Sequence, residues 1–127
     1  MKYLLDTHVL IWYFEDSQRL PKEMAELIDN PINYVYISSA SLWEIAIKMS
    51  LGKLNLSLSL NQLLENISNR DFQILQIKDN YLMKLFDLPF IHKDPFDRLL
   101  ISTALAENLT IITIDENIQK YDVPWIW

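Results

Sequence analysis

Three short apolar runs, Lys2 to Leu5, Tyr34 to Ile37 and Leu109 to Ile114, each give way within a few residues to a stretch of helical character. Runs that brief and that continuously apolar or β-branched read as strands buried on both faces, which is how strands behave in a parallel sheet. The stretches between them read as helices. His8 to Phe14 is apolar all round; Leu20-Pro21 opens a segment to about Ile28; Ser38 to Ser41 leads into one through Lys48 or Met49. Gly52 ends that region, and further helices are expected from about Leu60 to Ile67, from Asp79 to Phe86 and from Asp94-Pro95 to about Glu107. Asn108 is placed to cap the last of these in a left-handed conformation. Phe72 to Ile77 alternates as a strand, Asp115 to Lys120 reads as a short helix, and Val123 to Trp127 as a terminal strand or extended tail. Strands alternating with helices imply right-handed crossovers, so the expected class is α/β with a mostly parallel central sheet covered on both faces.

The chain has 127 residues, enough for one domain spanning 1–127 and too few for two. Half of the residues are hydrophobic and 22% are charged, a composition that supports a packed core. A single glycine, Gly52, excludes the glycine-rich phosphate loops. The absence of cysteine removes disulfides, thiolate metal sites and thiol nucleophiles, and suits a reducing, cytoplasmic setting. Asp6 and His8 interrupt the first apolar run, so it is read as part of the mature fold, and no apolar stretch is long enough to cross a membrane. The formal charge of -6 repels a polyanion, so a nucleic-acid role requires a cation or a local basic patch.

In open α/β sheets, ligands bind beyond the carboxyl ends of the strands. Asp6 directly follows the first strand and Asp115 the strand ending at Ile114, while Glu44 and Asp97 lie early in the helices begun near Ser41 and at Asp94. Four acids from four segments are thus expected on one rim. Each alone has a simpler explanation: Ser41 and Glu44 match a capping box, and Asp6, Asp94, Asp97 and Asp115 occupy helix starts where negative charge is favoured. Together, however, clustered carboxylates repel one another and require protons or a cation. An all-oxygen set suits Mg²⁺ or Mn²⁺, and zinc does not fit a chain whose only imidazoles are His8 and His92. His8, on an apolar helix, reads as a packed core residue; His92 reads as structural or close to substrate. Trp12, Tyr13, Phe14 and Trp43 read as core or subunit-interface residues, and Trp125 and Trp127 as pins for the tail.

Three blocks carry a resemblance: Leu4-Leu5-Asp6-Thr7-His8, Ser41-Leu42-Trp43-Glu44-Ile45-Ala46-Ile47-Lys48, and His92-Lys93-Asp94-Pro95-Phe96-Asp97-Arg98-Leu99-Leu100 followed by Thr113-Ile114-Asp115. With these blocks in this order, the sequence resembles the PIN-domain family along its length, and within it the VapC-like toxins of type II toxin–antitoxin systems. The resemblance implies a three-layer α/β/α fold and a Mg²⁺- or Mn²⁺-dependent endoribonuclease, with RNA as substrate, a cognate antitoxin as inhibitor and a homodimer as the working unit. It places the acidic, metal-holding and catalytic quartet on Asp6, Glu44, Asp97 and Asp115, with Asp94 as an additional acid. Thr7 and Thr113 are expected to hydrogen-bond carboxylates or substrate, and Arg98 to contact phosphate or pair with a neighbouring acid. Two readings from other classes stand beside this one. One is a phosphoacceptor signalling domain, which wants a lysine where this chain has Asp115-Glu116; the other is a binding module whose acids only cap helices.

Overall fold

The computed structural model describes all 127 residues. Five parallel strands form one sheet in the order β3-β2-β1-β4-β5: β1 (Lys2–Leu5), β2 (Tyr34–Ser38), β3 (Gln73–Leu75), β4 (Thr110–Ile112) and β5 (Trp125–Ile126). The helices are α1 (Thr7–Phe14), α2 (Lys22–Asp29), α3 (Ser39–Ser50), α4 (Leu60–Ser68), α5 (Asp79–Asp87), α6 (Pro95–Glu107) and α7 (Glu116–Gln119). The sheet is wholly parallel, so the α/β expectation holds.

Alternation along the central strands divides the core into two layers. Leu5, Ile37 and Ile112 face a cluster with Val9 and Leu10 of α1, Met24 and Ile28 of α2, Ile45 of α3 and Leu63 and Ile67 of α4. Their neighbours Leu4 and Ile111 face the opposite layer, with Leu100, Ile101 and Ala104 of α6 and Ile118 of α7. A smaller cluster of Ala40, Tyr81 and Leu99 joins α3, α5 and α6. This is a sheet covered on both faces.

Several elements begin or end differently from the sequence reading. The expected strands at Phe72 to Ile77 and Leu109 to Ile114 shorten to three residues each. β3 is an edge strand paired only with β2, and its flanks have no second partner to extend against. Asn108 takes the left-handed conformation expected of it, with φ 56 and ψ 51, and its N–H bonds Ala104 O. Such geometry is tolerated by a short polar side chain. His8 is exposed, although it was expected in the core, because α1 buries Thr7, Val9, Leu10 and Ile11 and turns His8 outward. Trp43 is also 61% exposed, its ring 5.4 Å from that of Phe96. Trp127 packs its ring 6.0 Å from Trp12 and anchors the tail, whereas Trp125 remains largely exposed.

The topology locates the site. From β1 the chain steps outward through β2 to β3, then crosses back to place β4 on the other side of β1. Strand order therefore reverses between β1 and β4, and a crevice opens beyond their carboxyl ends. Asp6 and Thr113 stand at those ends, with Asp6 N–H continuing the ladder to Ile112 O at 3.1 Å.

Candidate active site

Asp6 occupies the N-cap position of α1 yet makes no capping bond with its side chain. It is 3% exposed, and Thr113, itself fully buried, donates its hydroxyl to Asp6 Oδ2 at 2.7 Å. The same Thr113 oxygen accepts from the N–H of Asp115 at 2.9 Å, so the exits of β1 and β4 are tied together by one threonine. Burial pushes the Asp6 carboxyl above its ordinary value; the Thr113 bond and the His8 charge oppose that, and Asp115 adds to it. A buried carboxylate that caps nothing is costly to keep ionised without a cation.

The expected capping box at Ser41 and Glu44 is not formed. β2 runs to Ser38, whose side chain accepts from Ala40 N–H and starts α3 three residues earlier than the Ser41 reading requires. Ser41 and Glu44 therefore lie inside the helix, both buried. Ser41 Oγ accepts instead from Thr7 Oγ1 at 2.9 Å, which joins α3 to α1 and engages the Thr7 hydroxyl, expected on a carboxylate or substrate, in a structural bond. Glu44 is 4% exposed, and its Oε2 accepts from Lys48 Nζ at 2.6 Å.

Asp94 caps α6, its Oδ1 accepting from the N–H groups of Phe96 and Asp97 at 2.9 and 3.1 Å, and Pro95 fills the first turn. One turn on, the Asp97 carboxylate faces His92, with Oδ2 3.0 Å from Nε2. Burial pushes Asp97 up to about 7; the His92 bond opposes this, and the charges of Asp94, Asp6 and Asp115 reinforce it. The charges of Asp6 at the exit of β1, Asp94 at the start of α6 and Asp115 at the start of α7 thus all reach Asp97. Asp115 is half-buried and caps α7 through Asn117 and Ile118 N–H, while Glu116 beside it is exposed.

Arg98 meets neither expectation. It is 4% exposed and donates to Pro89 O at 2.8 Å, Leu88 O at 3.2 Å and Tyr121 Oη at 3.1 Å. Its guanidinium also lies 4.0 Å from the centre of the Phe90 ring. Tyr121 Oη in turn lies 2.8 Å from His92 Nδ1, so Tyr121 and Asp97 engage the two ring nitrogens of His92 and fix its orientation. Arg98, Tyr121 and His92 form a buttress behind Asp97. Tyr121 carries no motif signal in the sequence, since 29 positions separate it from His92.

The donor set fits a hard divalent ion: carboxylate oxygens throughout, no thiolate, and an imidazole committed to Asp97. Each of Asp6, Glu44 and Asp97 gives one named oxygen to a side-chain partner. In this arrangement no three acids or imidazoles stand close enough to enclose an ion by themselves, so ligation requires side-chain adjustment or bridging water. Magnesium, which keeps several waters and uses one or two carboxylates, suits an open rim of this kind. The largest cavity, about 540 Å³ and lined in part by Trp12, Tyr13, Phe14 and Leu20, contains none of these acids.

The raised Asp97 value has a measurable consequence. Between about pH 4 and pH 7 the folded chain retains a proton on Asp97 that the unfolded chain releases, so this group's contribution to stability falls as pH rises through that window and levels off above it. Metal-free wild type is therefore expected to lose stability relative to Asp97→Asn from pH 5 to 7.5, by on the order of 1–3 kcal/mol, as read by urea unfolding at each pH. A constant difference would show that Asp97 is not held in this way.

The family model for the PIN domain matches residues 3–124. No curated protein sequence matches the chain. Among solved structures, VapBC2 from Rickettsia felis, bound to a DNA fragment from its promoter, is similar at a TM-score of 0.72 and 20% identity, covering 99% of this chain and 98% of that one. VapBC-1 from nontypeable Haemophilus influenzae is similar at 0.71 and 20%, covering 99% and 97%. VapBC-5 from Mycobacterium tuberculosis, a member of the VapBC family of toxin–antitoxin systems, is similar at 0.66 and 20%, covering 98% and 97%. With a family match over nearly every residue and the sheet, helices and acidic rim described above, the chain belongs to the PIN-domain family.

Proposed function

We propose that the chain is a metal-dependent endoribonuclease and the toxin half of a type II toxin–antitoxin pair, held in check by a cognate antitoxin and acting in the cytoplasm. The observation that carries this reading is the Asp6 carboxylate: buried, without a side-chain capping bond, and within reach of the charges of Asp97 and Asp115 at the strand reversal. A module whose acids only cap helices has no use for a buried Asp6 or Glu44. The phosphoacceptor reading finds no lysine after β4, where Asp115 and Glu116 stand.

Asp6, Glu44 and Asp97 are the side chains assigned to hold Mg²⁺ or Mn²⁺, with Asp115 in an outer or second-ion role. Such an ion, when bound, lowers the pKa of a coordinated water and offsets charge on a scissile phosphate and leaving oxygen. The protein does the rest. Thr113 fixes Asp6 Oδ2 and His92 fixes Asp97 Oδ2, and Glu44 is assigned to ligate the ion directly or through a water and to assist activation of that water. Asp94 orders the first turn of α6 and so sets the direction of Asp97. Asp115 holds the start of α7 beside Thr113.

Exposed Leu82, Met83 and Phe86 on α5 and Phe90 just beyond it support pairing with a second copy. The test of the activity is incubation of the purified chain with a mixed cellular RNA pool. Discrete fragments are expected with Mg²⁺ or Mn²⁺, and none with excess EDTA. Fragments that persist in EDTA, or intact RNA under every metal condition, would overturn the reading.

A further inference from the structure

Lys48 brings an ammonium to the acidic rim from within α3. Its bond to Glu44 Oε2, at 2.6 Å, differs from an ordinary helix-surface pair. Lys22 and Glu26, at the same four-residue spacing, are 3.9 Å apart with side chains 87% and 66% exposed. In the Lys48–Glu44 pair the acid side chain is 5% exposed and the lysine 41%, so a rim ammonium reaches inward to a buried carboxylate. Arg98 is committed to Leu88 O, Pro89 O and Tyr121, His92 to Asp97 and Tyr121, and the His8 charge acts on Asp6. The Glu44 bond above all, and then the charges of Glu44, Asp94 and Asp97, favour the charged form of Lys48 against the opposing effect of burial.

We propose that Lys48 is a tethered counter-ion, a positioning residue that occupies Glu44 in the metal-free chain and must release it before a divalent ion can use that carboxylate. The inference rests on the metal site assigned above. The ammonium stabilises the acidic rim when no ion is present, and ion and ammonium compete for Glu44. Released, Lys48 remains on α3 at the solvent side of the rim.

The test uses the full-length chain. Lys48→Met is expected to lower the metal-free melting temperature by about 3–8 °C and, measured calorimetrically, to tighten Mn²⁺ binding about three- to tenfold. Lys48→Arg is expected to retain values close to wild type, because it restores the competing charge. In the wild type, titration with Mg²⁺ is expected to shift the ¹⁵Nζ resonance of Lys48 and leave that of Lys22 in place, a readout independent of whether the methionine variant folds. Unchanged or weaker Mn²⁺ binding by Lys48→Met, or a Lys48 resonance indifferent to Mg²⁺, overturns the inference while wild-type binding leaves the metal site standing. A wild type that binds neither ion overturns both.

Discussion

Replacing Asp97 with asparagine is expected to abolish RNA cleavage and, at neutral pH, to make the metal-free protein more stable. The two effects have one origin. Burial and three neighbouring acids push the Asp97 carboxyl up to about 7, so its ionised form is held at a cost that the amide does not bear. Asparagine, which both donates and accepts, still hydrogen-bonds His92 Nε2, keeps nearly the same volume and leaves the Asp94 cap of α6 intact. Activity is expected to fall by at least about 100-fold, since loss of a metal-ligand carboxylate exceeds the loss usual for the groups that merely orient one. Asp6→Asn is expected to act in the same direction, because burial also raises that carboxyl. Cleavage assays paired with melting curves at pH 7.5 check this. A variant that loses both activity and stability would mark Asp97 as a structural acid, and one that retains activity would remove it from the mechanism.

The second large effect concerns Arg98. Arg98→Met is expected to cost on the order of 3 kcal/mol in urea unfolding, because it strips the donor from the carbonyls of Leu88 and Pro89 and leaves Tyr121 Oη with one contact fewer. Methionine fills much of the space, so the cost comes chiefly from unpaired polar groups rather than from a cavity. Tyr121 orients His92, and His92 holds Asp97, so a smaller loss of cleavage is expected to accompany the loss of stability. Had Arg98 served as a phosphate contact, the same change would weaken RNA binding and leave unfolding almost unchanged. The comparison separates the two roles.

The residues legible in the sequence are those whose positions follow from strand periodicity and chain direction. Asp6 comes straight after β1 and Asp115 three residues after the end of β4, so a parallel sheet delivers both to one edge. Asp94, Pro95 and Asn108 bracket α6 through local chemistry alone, and the observed cap and left-handed turn follow it. Glu44 was legible as an acid on the correct helix but not as a buried one. Whether Ser38 or Ser41 begins α3 depends on how far β2 stays paired to β1 and β3, which is a tertiary matter. The motif around Ser41 therefore imitated a cap.

Arg98 was misread for a related reason. Its partners are main-chain carbonyls of a loop, and carbonyls have no sequence identity to read. Tyr121 and Thr7 likewise found partners far away along the chain, at Arg98 and Ser41. His8 illustrates the converse: the all-round apolar look of α1 hid which side of the helix meets the sheet, and the observed packing leaves His8 on the outside.

The proposed activity requires that acids separated in sequence come together at the β1–β4 reversal and take a divalent cation among them. Anomalous diffraction from crystals grown with Mn²⁺ measures this most directly. A peak bounded by the carboxylates of Asp6, Glu44 and Asp97, with Lys48 Nζ moved off Glu44, is the predicted result. A manganese position away from all three carboxylates, or none at millimolar Mn²⁺, would contradict it.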